Sequence, residues 1–240
     1  MNQEMLVLAG ALACALALPR DAAAQVRPGM GGGEQPRTSI RIYGEGVYSR
    51  MDVDELNARL AALDEPYSAV SEDMIGFGVG VHGRRGRFIL GAEGTFTTSS
   101  EDAEVSDERI AELSAFQGSV LVGFSLIRSA GFDLYPLIQL GGAGASLEVR
   151  ERGAPSWDEV LGDPGRQSTL STATFYGAAG ASVEYAFGGG FFLGARGTWA
   201  FTPATDSWSE ESGDVLGGPE LDLSGPSVRL MVGFGGRGGS

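Results

Sequence analysis

The sequence between residues 172 and 202 leaves little choice of fold. Two runs of ten or more residues flank the turn Gly188-Gly189-Gly190, and each alternates with period two, the signature of a β-strand. In the first run Phe175, Gly177, Ala179, Ala181, Val183, Tyr185 and Phe187 share one face, and Tyr176, Gly180, Ser182 and Glu184 the other. In the second, Phe191, Leu193, Ala195, Trp199 and Phe201 lie opposite Arg196 and Thr198. The apolar face has aromatic residues at both ends and small or aliphatic residues between. A strand that crosses a bilayer has this layout, with aromatic girdles at the two interfaces and a lipid-facing band between them.

Six further segments alternate in the same way: residues 40–49, 74–83, 87–97, 116–128, 132–149 and 227–235. Short turns (84–86, 129–131, 188–190) alternate with long connections (50–73, 98–115, 150–168, 203–225). Short turns at one end and long loops at the other are expected of an antiparallel up-and-down barrel in an outer membrane, with the short turns in the periplasm. With that orientation Phe88, Phe124, Phe132, Phe187, Phe191 and Phe234 fall at the periplasmic end. Tyr48, Phe96, Phe116, Phe175, Trp199 and Phe201 fall at the outer end. The expected fold is therefore all-β: a closed, eight-stranded, transmembrane barrel over residues 38–236, followed by a tail at 237–240.

On this architecture and alternation the chain resembles the small eight-stranded outer-membrane barrels, the OmpA-transmembrane, OmpX and OmpW-like group. The resemblance spans about residues 38 to 236 and carries no diagnostic motif. It implies a monomer in the cell outer membrane whose partners are outer-membrane lipid and the barrel assembly machinery. One departure is that Phe234 is followed by Gly-Gly-Arg-Gly-Gly-Ser, whereas such proteins commonly end on an aromatic residue.

Met5 to Leu18 is apolar and too short to span a membrane as a helix. It leads to Ala22-Ala23-Ala24, a small-residue cleavage site, so residues 1–24 are expected to be an export signal and 25–37 a Gly/Pro-rich periplasmic lead-in. Met1 to Met5 carries Glu4 and no basic residue, so an upstream translation start is expected to supply the missing charge. Cys14 is the sole cysteine and follows Ala11-Leu12-Ala13, a poor match to a lipoprotein signal.

The inward faces carry Arg41, Arg196 and Arg229 against Glu45, Glu93 and Glu184. Balanced charges in so narrow an interior are expected to form a salt-bridged plug, with Glu45 paired to Arg229 and Glu184 to Arg196. The alternative is a narrow pore or binding barrel for small solutes, lined by the same groups. The long loops are acidic: Asp52, Asp54, Glu55, Asp64 and Glu65 in the first, Glu101, Asp102, Glu104, Asp107 and Glu108 in the second, Asp206, Glu210, Glu211 and Asp214 in the last. Solvated surface is one reading and divalent-cation binding the other, since hard cations take carboxylate oxygens. Asp52-Val53-Asp54 lacks the glycine and closing glutamate of a calcium loop, and no metal site is assigned. Val53, Leu56, Leu60 and Leu63 recur at helical spacing before Pro66, which predicts a helix of about three turns in the first loop. A shorter helix is expected around 107–113.

The net charge of −14 argues against nucleic acid as a partner. An enzyme acting on outer-leaflet lipid would need a nucleophile beside a base at the outer end. The single histidine, His82, lies near the opposite end and reads as an interfacial polar residue. No catalytic residue and no cofactor is assigned. The expected role is structural or surface-interacting. Alternation alone is symmetric under inversion, so a soluble periplasmic lipocalin-like barrel, apolar inside, is the other fold that fits.

Overall fold

The computed structural model describes residues 38–99, 109–129, 131–151, 167–187, 190–210 and 213–237. The expected export signal (1–24), the expected lead-in (25–37) and the second-loop carboxylates lie outside them. Eight long strands form the wall: β1 (Thr38–Arg50), β2 (Asp73–Arg85), β3 (Phe88–Ser99), β4 (Arg109–Phe124), β6 (Phe132–Glu151), β7 (Gln167–Ala186), β8 (Phe191–Phe201) and β11 (Gly225–Arg237). Three short strands, β5 (Ile127–Ser129), β9 (Trp208–Glu210) and β10 (Gly213–Val215), and one helix, α1 (Asp54–Ala61), complete the described elements. Each wall strand pairs antiparallel with its sequence neighbour, and β11 pairs back onto β1 from Ser39↔Arg237 to Ser49↔Ser227. The sheet is a closed up-and-down barrel and its wall has no free edge.

The register fixes the barrel's dimensions. Following paired residues from Ala181 through Gly197, Val228, Tyr48, Ile75, Thr98, Ser114 and Ser146 returns to β7 at Ser171, ten residues from the start. With strands about 4.8 Å apart and a rise of about 3.3 Å per residue, this stagger tilts the strands by roughly 40° and sets a radius of about 8 Å. Such an interior is filled by the side chains that point into it.

The two faces of the wall have opposite character. Ile42, Phe77, Val79, Leu140, Leu230 and Phe234 point outward and are more than half exposed. Inward positions hold Glu45, Glu93, Gln139, Glu184, Arg196 and Arg229, each at most 5% exposed. This polarity is the reverse of a lipocalin-like barrel, whose apolar face is inside.

At the short-turn end, β2 and β3 are joined through Gly86, which takes the left-handed backbone (φ 63°) that glycine allows. At the other end β4, β6 and β7 outrun their neighbours. The projecting part is lined by an apolar cluster in which Leu113 and Leu147 meet Leu56 and Leu60 of α1 and Trp208 and Leu221 of the last loop. Asn57 clamps α1 to the returning chain, donating to the Val70 carbonyl at 2.9 Å and accepting from the Val70 amide at 2.8 Å. Trp208 Nε1 donates to the Pro219 carbonyl at 2.7 Å. An apolar lid thus closes the long-loop mouth.

Three segments differ from what the sequence predicts. Residues 109–113 are strand, paired from Arg109↔Glu151 to Leu113↔Leu147, so the second-loop helix does not form there; Asp107 and Glu108 lie outside the described residues. Pairing to β6 outweighs local helical spacing because it buries Leu113 in the lid. The segment expected as one strand over 116–128 breaks after Phe124: the Ser125 amide still donates to the Arg87 carbonyl, and the next amide, Leu126, donates to the Leu134 carbonyl of β6. Helix α1 is two turns long and stops at Ala61. Pro66 disfavours helical backbone at Glu65, the Tyr67 amide turns back to the Leu60 carbonyl, and Leu63 is left 49% exposed.

Truncating a buried lid leucine leaves a cavity that costs about 2–5 kcal/mol. Leu56→Ala is therefore expected to raise the rate of tryptic cleavage after the exposed Arg59 at least about tenfold, while the boiling-dependent gel shift of the barrel persists.

Candidate functional site: a buried charge network across the lumen

The inward groups form two linked layers. The middle layer centres on Glu93 of β3. Arg196 and Arg229 are direct cross-strand neighbours on β8 and β11. Two like charges so placed repel, and both guanidinium groups reach across the lumen to Glu93. Arg229 also donates to Glu45 at 3.2 Å across the β1–β11 seam. Tyr43 donates to Glu93 at 3.0 Å, and Gln139 donates to its other carboxylate oxygen. Glycine in β2 makes room: a Cβ at Gly80 would collide with the Tyr43 ring, and one at Gly78 would lie 2.8 Å from the Glu45 carboxylate.

The lower layer lies toward the short turns and centres on Glu184 of β7. Arg41 and Tyr135 both donate to it, and Arg84 approaches it at 3.9 Å. Arg84 is ion-paired with Asp133, whose carboxylate also accepts from Ser125 at 2.6 Å. His82 packs beside the Tyr43 and Phe192 rings, which also touch each other, with Nε2 3.6 Å from Glu184. The Arg41 guanidinium lies 4.9 Å from the centre of the Phe192 ring.

The network is thus wider than its six sequence-assigned members. Sequence reading places Arg84 in a turn, yet it is 3% exposed inside the barrel, because β2 continues to Arg85. His82, expected at the interface, is 1% exposed in the lumen. The sequence carries a signal for both: each lies on the same alternating face as Gly76, Gly78 and Gly80. With Arg84 and Asp133 included, four arginines face four carboxylates. Arg196 pairs with Glu93 on the far wall and not with Glu184, which Arg41 satisfies. The buried arginines carry long side chains that cross the narrow interior, so pairing is set by reach across the lumen as well as by adjacency in the sheet.

Above the network a cavity of about 30 Å³, lined in part by Thr95, Thr97, Gln117, Tyr176 and Ser227, has room for one or two waters. Below it both His82 ring nitrogens lack a hydrogen-bond partner among the described residues. Among the described residues no three His, Cys, Asp or Glu side chains converge on a metal-sized site.

On the outer face the aromatic residues form two tiers. Near the short turns Phe88 packs edge-on to Phe124 with ring centres 5.3 Å apart, Phe191 to Phe234 at 5.3 Å, and Phe187 lies 5.9 Å from Phe191. Phe132 belongs to the same tier. The upper tier holds Tyr48, Phe96, Phe116, Phe175, Trp199 and Phe201. Phe77, paired with Phe96 at 6.0 Å, joins it and is a member the sequence assignment misses. From Phe88 to Phe96, or from Phe191 to Phe201, the tiers stand about 20–25 Å apart along the barrel axis at the strand rise and tilt given above.

Several solved structures resemble this one. A major outer-membrane protein of Thermus thermophilus matches with a TM-score of 0.51 at 10% identity, over 82% of this chain and 99% of that one. The chain has the fold of the small membrane β-barrels. OprG of Pseudomonas aeruginosa (TM-score 0.47, 11% identity, 86% and 99% covered) and Ail, the attachment invasion locus protein of Yersinia pestis (0.43, 13%, 84% and 99%), are also similar. No protein-family model matches the sequence, and no curated protein matches it.

Removing one partner of a buried pair strands the other charge, at a cost of about 3–5 kcal/mol, whereas an apolar pair of similar volume in its place is often neutral. Glu93→Ala is expected to destabilise the barrel by that amount in a urea titration in lipid bilayers. Joint Arg84→Met and Asp133→Leu should stay within about 1.5 kcal/mol of wild type in the same titration.

Proposed function

We propose that the protein is an integral barrel of the bacterial outer membrane, closed to solute flow, with a non-enzymatic role in envelope structure or in contacts made by its long-loop end. The observation that carries this reading is the polarity of the wall. A continuous apolar band faces outward between two aromatic tiers, and charged groups fill the inside. In water that band would be a large exposed apolar surface, which a stable monomer avoids. In a bilayer it matches the hydrocarbon layer, and the tiers match the interfacial girdles. Closure satisfies the ladder hydrogen bonds within the wall, as a membrane interior requires.

The filled lumen supports a closed barrel over a pore. Glu93 and Glu184 are bridged from several strands and the lid covers the outer mouth. His82, the one histidine, is enclosed within the barrel, so a base acting on outer-leaflet lipid has no support. The acidic long-loop end is the surface offered to the exterior, and divalent cations are its proposed small partners at the exposed carboxylates.

Protein recovered from isolated outer membranes should shift in gel mobility on boiling and should give no steady conductance in planar bilayers. Release into the soluble periplasmic fraction, or discrete channels, would contradict the reading. Val122→Arg places a charge near the middle of the lipid-facing band and should destabilise the barrel in bilayers by about 2–4 kcal/mol.

A further inference from the structure

Charge is distributed unequally between the two ends of the barrel. At the short-turn end the exposed charged side chains among the described residues are Arg85, Arg87 and Arg128. The carboxylates at that level, Asp133 and Glu184, are buried and committed to Arg84 and Arg41. The three arginines lie on two adjacent turns that are tied together: Arg128 donates to the Gly86 carbonyl at 3.3 Å, and the Ser125 amide donates to the Arg87 carbonyl at 2.8 Å. None of the three has a carboxylate partner among the described residues. After the break at Phe124, β5 stays paired with β6 and runs beyond the end of β3, so Leu126 and Ile127, 56% and 51% exposed, stand beside the cluster with Phe88 and Phe124. The acidic groups are elsewhere, on the long-loop end.

We propose that this rim binds the headgroup of an anionic phospholipid. The inference rests on the membrane reading given above and adds a lipid preference to it. Guanidinium groups offer paired donors to phosphate oxygens, and the aliphatic and aromatic side chains beside them are placed to meet the acyl chains of the same molecule. Clustered basic residues at a membrane surface favour anionic over zwitterionic lipid. Free phosphate would engage the guanidinium groups alone and leave Leu126 and Ile127 without a role. The occupant is therefore a lipid of the leaflet at the short-turn end.

The test is lipid selectivity of the full chain inserted in phosphatidylcholine vesicles containing about one quarter phosphatidylglycerol. Spin-labelled analogues of the two lipids report the fraction immobilised at the protein surface. The expected result is an association ratio of phosphatidylglycerol over phosphatidylcholine of about five, the factor expected from one well-placed arginine, reduced to near one by the joint variant R85Q/R87Q/R128Q. The variant must retain its boiling-dependent shift, and R50Q/R109Q at the other end should leave the ratio unchanged. A wild-type ratio near one, or a ratio that survives the triple substitution, would overturn the proposal. So would loss of the preference on adding inorganic phosphate at constant ionic strength, because the rim would then be a phosphate site. Failure of the wild-type chain to insert and shift on boiling would instead overturn the membrane reading, and this inference with it.

Discussion

Everything in this molecule follows from closing a hydrogen-bonded sheet of eight strands on itself. Once β11 pairs with β1, the stagger of ten residues sets both tilt and radius, and a radius of about 8 Å leaves no interior for bulk water. Groups pointing inward must satisfy one another. Arg196 and Arg229 can tolerate being neighbours because Glu93 accepts from both, and Glu93 can be buried because four donors converge on it. The glycines of β2 belong to the same requirement, since bulkier residues there would occupy the volume that Tyr43 and Glu45 need.

Much of this is legible in the sequence, for a physical reason. A wall with one apolar and one polar face imposes period two on every strand, and the alternation of short and long connections follows from up-and-down topology. Strand faces can therefore be read by counting. Alternation does not say which face is inside, and here the exposed Ile42, Phe77 and Leu230 against the buried Glu45, Arg196 and Arg229 settle that question.

What the sequence hides lies where local pattern and tertiary context part. Residues 109–113 look helical, yet pairing with β6 extends them into the projecting sheet. Trp208 and Leu221 sit in a loop without periodicity and become legible only once they fill the lid. Arg84 stands next to a turn, where exposure is the ordinary expectation, and the continuing strand carries it inward to Asp133. Charge pairing is the least legible feature. Long side chains crossing a narrow lumen choose partners by reach, so Arg196 meets Glu93 on the far wall, not Glu184.

The inside-out polarity of the wall is the central claim, and β4 tests it residue by residue. Single cysteines introduced as Val120→Cys, Leu121→Cys and Val122→Cys on a Cys14→Ser background can carry a fluorophore in lipid vesicles containing nitroxide-labelled acyl chains. The account predicts strong quenching at 120 and 122 and little at 121, whose side chain is buried in the lumen. Quenching confined to 121, or labels at 120 and 122 that respond to aqueous iodide and not to lipid nitroxide, would contradict it.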